Sequence, residues 1–226
     1  MKCLICSGQN FQSGKVLWPE LIEAWGINQS EVDYINRQQG TSCCKCGNNL
    51  RAQAMAQAIC SEFSFKDNLK RFVKSWRNRR LKVLSVNTCG TLHTILSRLS
   101  NFDLIEYPEY DVRSLSLPSE TYDLVVHSDT LEHVDGASSA LSECCRVLKP
   151  NGVCIYTIPI IVGRMSQTTQ GKSPSYHGDP HERGGDWKVQ TEYGCDAWIE
   201  PLKAGFRSCR IYGYEVPSAL ALSCRK

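Results

Sequence analysis

Residue type and spacing write two kinds of chemistry into this chain. The first is sulfur. Cys3 and Cys6 in "CLIC" stand two residues apart, and Cys43 and Cys46 in "SCCKCG" repeat the spacing, with Cys44 an extra thiol inside the second pair. Two such knuckles bring four thiolates around one tetrahedral Zn²⁺, and Gly47 supplies the tight turn after the last ligand. A four-thiolate set leaves no open coordination position, so the expected metal is structural. The second is an acidic, histidine-bearing turn. "YDLVVHSDTLEHV" places His127, Ser128 and Asp129 straight after an apolar run. A carboxylate or imidazole there can take a proton from a hydroxyl or amine, which makes His127 and Asp129 the candidate catalytic groups. Glu132 and His133 read differently, as the start of a helix, where a carboxylate suits the positive dipole end and a histidine bonds the loop backbone.

The elements that must position these groups follow from hydrophobic periodicity. "LKVLSV", "FDLIEY", "YDLVVHS" and "GVCIYTIP" are strands, alternating with helices in "TLHTILSRL" and "ASSALSECCRVL". Strands too apolar to face water, alternating with helices, predict a mostly parallel, Rossmann-like α/β sheet covered on both faces. "DAWIEPLKAGF" reads as a helix closed by Gly205, followed by two closing strands in "RSCRIYGYE" and "ALALSCRK". Ligands of such sheets sit at the carboxyl ends of the strands, so the turns after Val86, Tyr107 and His127 are expected to line one crevice. Upstream, "WPELIEAWGINQSEVDYINRQ" predicts a helical pair broken near Gly26, and "NNLRAQAMAQAICSEF" carries Ala52, Met55, Ala56 and Ile59 at helical spacing. The implied organisation is a zinc-binding cysteine-rich module over 1–62, a basic helical linker over 63–80 and the α/β domain over 81–226. Within it, 161–189 forms an acceptor loop or lid.

Composition narrows the class. A chain of 226 residues with 42% hydrophobic and 22% charged residues is globular rather than disordered, with room for one α/β domain and an appendage. A net charge of +3 gives little support to nucleic-acid binding. No apolar run approaches the length of a membrane helix and the first residues lack a signal-peptide pattern, so the expected location is cytoplasmic, with no membrane partner. Most of the 13 cysteines fall in core elements, where a reduced thiol acts as a small hydrophobe.

From about Leu81 onward the combination of "YDLVVHSD", "LEHV" and "RVLKPNG" before an apolar strand resembles the class I S-adenosylmethionine-dependent methyltransferases, of the type 11 kind. The knuckles and the helix behind them resemble a treble-clef or zinc-ribbon arrangement, and "YHGDPHERGG" and "EYGCDAWIEPLKAGF" resemble a subset of that family whose members carry an N-terminal cysteine-rich segment. The resemblance implies S-adenosylmethionine as cofactor and a small-molecule or glycan-type acceptor methylated on oxygen or nitrogen. It implies cofactor contacts at Asn87, Cys89 and Gly90 in the loop after the first strand, at Glu106 for the ribose, at Asp111 for the adenine, and at His127 and Ser128. It places acceptor contacts among Arg164, Tyr176, His177 and Asp179. The chain departs from the family pattern where Ser85 stands for the usual acidic residue and Asn87 and Cys89 stand for glycines. Glu106 and Asp111 lie only five residues apart with Pro108 between them, which predicts that the third strand of the family sheet and its helix are deleted. Two other readings stay open: a non-catalytic binding or scaffold protein with a degraded cofactor loop, and an RNA or protein methyltransferase whose zinc module grips the macromolecule.

Overall fold

The structure is a computed structural model that describes residues 1–171, 174, 176, 188–216 and 219–226. The cysteine-rich segment folds as a short strand pair, β1 (Phe11–Ser13) and β2 (Thr41–Cys43), joined through helices α1 (Pro19–Trp25) and α2 (Gln29–Gly40). Gly26 closes α1 at φ +55, the left-handed conformation that glycine adopts without a Cβ penalty, and so breaks the helical pair where expected. Asn28 then caps α2 through a reciprocal box with Glu31. Helix α3 (Leu50–Glu62) begins at the Asn49 cap, just past the second knuckle, and α4 (Leu69–Phe72) is a single turn.

The α/β part runs β3 (Lys82–Val86), α5 (Gly90–Leu96), β4 (Asn101–Ile105), β5 (Tyr122–Ser128), a 3-10 turn at Leu131–His133, α6 (Ala137–Val147) and β6 (Leu148–Thr157). Short strands β7 (Ile160–Ile161), β8 (Gln167–Thr168) and β9 (Thr191–Gly194) form a small separate sheet; α7 (Ile199–Lys203), β10 (Ser208–Tyr214) and β11 (Ala219–Arg225) follow. The main sheet has the order β10-β11-β6-β5-β3-β4, with β3, β4, β5 and β6 parallel and β11 antiparallel to both neighbours. Near-continuous burial along β5 and β6 reflects a sheet covered on both faces. Asn151 at φ +63 and Gly152 make the turn of "KPNG". A Cβ on Gly152 would stand 2.9 Å from the Lys149 carbonyl oxygen, which requires glycine there.

The predicted deletion is present. Residues 106–121 contain only turns and bends, and β4 ends the sheet on its side. A different element than expected covers one face. The core on that face joins Ile5, Leu50, Met55 and Ile59 of the cysteine-rich segment to Phe72, Leu92, Leu124, Val126, Ile155 and Ala221, with α3 lying across β10, β11 and β6. Taking side chains of this size out of water stabilises the fold by on the order of 2 kcal/mol each. Glu62 at the end of α3, with a side chain only 2% exposed, accepts from Tyr212 Oη (3.0 Å), Ser223 Oγ (3.0 Å), Arg210 Nη1 (3.3 Å) and Arg225 Nη2.

Candidate functional site

Strand order alone locates a crevice. From β3 the chain adds β4 on one side and then β5 on the other, so the carboxyl ends of β3 and β5 flank a switch point, the place where open α/β sheets bind ligands. The two residues that leave those ends are both non-glycines at positive φ, Asn87 at +59 and Asp129 at +50. Such backbone is sparsely populated and gathers at functional sites. Asn87 can hold it because asparagine tolerates the left-handed region, and its side chain spans the crevice. Its Oδ1 accepts from the Tyr107 amide (3.2 Å) and its Nδ2 donates to Thr130 Oγ1 (3.4 Å).

The rest of the loop divides by burial. Ser85, fully buried where the family carries an acid, donates to the Asn87 carbonyl (3.0 Å) and so braces the turn. Cys89 is buried and burial pushes its thiol up to about 12, so its side chain is a small hydrophobe rather than a polar contact. Gly90 opens α5 at φ +52 with no atom within 4 Å of where a Cβ would stand. Glu106 is exposed beyond β4 and accepts from Thr88 Oγ1 (2.5 Å), which joins the β3 and β4 loops. Asp111 is gripped by Arg113 through Nε (3.0 Å) and Nη2 (2.7 Å), and these bonds hold its carboxyl below the usual range.

Asp129 is built from two parts of the chain. Arg51, second residue of α3 and 8% exposed, donates from Nη1 to Asp129 Oδ1 at 2.6 Å, while Ser128 Oγ donates to Oδ2 at 3.3 Å. The cysteine-rich segment therefore places an arginine at the carboxyl end of β5. Nothing in the sequence pointed to Arg51, whose partner lies 78 residues away. Ser128 also shares a 2.7 Å bond with Thr157 Oγ1 at the end of β6.

His127 does not line the crevice. Strand alternation turns its ring to the α6 face, where it is 1% exposed and stacked on Tyr156 with centroids 4.6 Å apart. Burial lowers its pKa to about 3, so it is an uncharged core ring, and neither nitrogen has a hydrogen-bond partner among the described residues. The expected helix start at Glu132 and His133 is also corrected: they lie on a 3-10 turn and α6 begins at Ala137 behind Gly136. Glu132 is 1% exposed and burial pushes its carboxyl up; His133 Nδ1 bonds the Lys188 carbonyl at 3.0 Å. Arg164, read as an acceptor contact, forms a two-pronged ion pair with Glu31 of α2 (2.7 Å each) and donates to the Gly26 carbonyl. Tyr176 pairs with Lys188 in an isolated bridge, and His177 and Asp179 lie outside the described residues.

At the cysteine-rich end, Cys3, Cys6, Cys43 and Cys46 converge. The contacts Cys3–Cys6, Cys3–Cys46 and Cys6–Cys43 are 3.5, 3.7 and 3.7 Å between sulfurs. A tetrahedral zinc with Zn–S of about 2.3 Å has S···S edges of about 3.8 Å, so the spacing fits the ion. Amides of Cys6 and Gly8 point at Cys3 and Cys6 sulfurs (3.3 and 3.4 Å), as thiolates require. A Cβ on Gly8 would come within 2.8 Å of Cys43 Sγ, so glycine permits the closure. Burial raises Cys3 and pushes Cys6 up to about 12; a cation at the centre would remove that penalty. Cys44 is exposed and outside the cluster.

Residues 69–156 match a family model described as a methyltransferase domain. Among curated proteins, a probable S-adenosylmethionine-dependent methyltransferase of Mycolicibacterium smegmatis is 38% identical over 58 residues, which are 24% of this chain and 23% of that protein. Matched over less than a quarter of that relative's length, the chain shares only a segment with it. Among solved structures, an S-adenosylmethionine-dependent methyltransferase from Mesorhizobium loti is 16% identical with a TM-score of 0.43, covering 65% of this chain and 91% of that one.

Proposed function

We propose that this chain is a class I S-adenosylmethionine-dependent methyltransferase and that it methylates an oxygen or nitrogen of a small-molecule or glycan-type acceptor. The observation that carries this reading is the pair of positive-φ residues, Asn87 and Asp129, that leave the ends of β3 and β5 at the switch point, with Glu106 tied to the same β3 loop through Thr88. A carboxylate at Glu106 suits the ribose hydroxyls of S-adenosylmethionine, and Gly90 leaves room for the methionine portion against backbone. The residues present fit the cofactor, with Asn87, Gly90 and Glu106 as its nearest supports and Asp111 and Ser128 at the margins. When bound, S-adenosylmethionine supplies an electrophilic methyl group.

Asp129 is the chain's own group for the acceptor. Fixed by Arg51 and Ser128, it can accept a hydrogen bond from a hydroxyl or amine and hold the acceptor in line, where alignment contributes most of the effect in a displacement at carbon. In this reading Arg51 is a positioning residue, and His127 has no part in proton transfer. The four-cysteine cluster holds structural zinc, which fixes the start of α3 and with it Arg51.

Calorimetric titration of the purified protein with S-adenosylmethionine and its demethylated product tests the proposal. Saturable binding of both at micromolar concentration is expected. A folded protein that gives no binding at millimolar ligand would instead favour the scaffold reading, in which the Thr88–Glu106 and Asn87–Tyr107 bonds close the crevice permanently.

A further inference from the structure

Cys209 on β10 stands directly opposite Cys224 on β11 in the antiparallel register, and their Sγ atoms are 3.5 Å apart. Directly opposed residues of such a pair have Cα separations of about 4.5–5.5 Å. A disulfide spans about 4.4–6.8 Å between Cα atoms, so side-chain rotation alone brings the two sulfurs to bonding distance. The two thiols differ as an attacking and a resolving cysteine must. Cys209 lies half-buried on the edge strand of the sheet; Cys224 is fully buried one strand inward. The hydrogen bond that Cys224 donates holds the Cys209 thiol below its ordinary range, while burial keeps Cys224 well above it.

We propose that Cys209 and Cys224 are an oxidation site that a hydroperoxide closes into a cross-strand disulfide. The Cys209 thiolate attacks the peroxide oxygen, the O–O bond breaks, and the leaving hydroxide takes a proton to become water, or an alkoxide becomes the alcohol. The sulfenic acid left on Cys209 is attacked by the Cys224 sulfur; the S–O bond breaks and water leaves with the Cys224 proton. Two thiols are oxidised, one peroxide is reduced, and a dithiol reductant reverses the change. Cys154 stands opposite Cys224 on β6, fully buried and one strand further from the edge, so it is not the first thiol a peroxide meets.

Wild-type protein treated with stoichiometric hydrogen peroxide is expected to lose about 2 Da in intact mass, with peptide mapping placing the link between Cys209 and Cys224, and to regain it with dithiothreitol. Brief alkylation of the reduced protein is expected to label Cys209 ahead of Cys224 and Cys154. Cys209→Ser removes the link; metal content, read in parallel, separates this event from oxidation of the four clustered cysteines. The proposal is overturned if the mass loss maps only to Cys3, Cys6, Cys43 and Cys46. It is equally overturned if Cys209 gains about 32 Da as sulfinic acid with no cross-link.

Discussion

Removing one carboxylate, Glu62, should loosen the whole closing edge of the sheet. In Glu62→Ala the hydroxyls of Tyr212 and Ser223 and the guanidinium of Arg225 each lose an acceptor in partly buried surroundings. The two hydroxyl bonds end on a charged carboxylate but lie in partly exposed surroundings and are counted at about 1 kcal/mol each, and the bond from Arg225 at about 1.5–3 kcal/mol. Arg210, with a side chain 65% exposed, adds almost nothing after solvent screening. The sum is a loss of roughly 4 kcal/mol, or about 8–16 °C in Tm for a chain of this length. Glu62→Gln keeps the shape and part of the bonding, so about half that loss is expected. Urea unfolding followed by circular dichroism reads both. The pH dependence carries a second check. Although burial opposes it, the bonds from Arg225, Ser223 and Tyr212 keep the Glu62 carboxyl below its ordinary value of 4.5. Its contribution is therefore complete above pH 4.5 and fades as pH falls through the lower folded value, so wild type and Glu62→Ala should converge in strong acid. A loss under about 1 kcal/mol at pH 7, or a gap that widens on acidification, would refute the reasoning.

The purified protein should hold about one equivalent of zinc, and Cys6→Ser should lose it along with order at the start of α3, by metal analysis and hydrogen exchange. Glu106→Ala should weaken S-adenosylmethionine binding about 10- to 100-fold in calorimetry, the loss expected for bonds to a charged group; unchanged affinity would move the ribose site elsewhere. His127→Phe should fold with stability within about 1 kcal/mol of wild type, because a buried ring without polar partners is exchanged for an apolar one of similar shape. The same variant should resist acid better. With a folded pKa near 3 against 6.5 unfolded, His127 takes up its proton on unfolding, so wild type loses stability as pH falls from 6.5 towards 3.

The strands were legible because doubly covered sheets demand unbroken apolar runs, and "DLVV" and "VCIYT" have no other use. The missing strand was legible too, because Pro108 and the five-residue gap from Glu106 to Asp111 leave no length for it. His127 was misread for a reason the same strand supplies: when both faces are buried, alternation no longer marks one face as the site, and a polar residue near a strand end can point either way. Arg51, Glu62 and Arg164 acquire their meaning from partners 78, 163 and 133 residues distant, beyond any local pattern. Sequence spacing did bring the four cysteines together, since tetrahedral coordination sets a local rule that two knuckles already obey.

The seat of α3 on β10 and β11 imposes an order of events in the cell. Once residues 50–62 have left the ribosome, roughly 160 further residues must be made before β11 exists to receive them. At about 5–20 residues per second this takes on the order of 10–30 seconds. Until then Leu50, Met55 and Ile59 can cover only β5 and β6, the part of the sheet already made, and Glu62 lacks Arg210 and Arg225. Metal capture by the first 46 residues can come early, but the helix it anchors waits for the far end of the sheet, which makes the nascent chain a client for whatever shields apolar helices during translation.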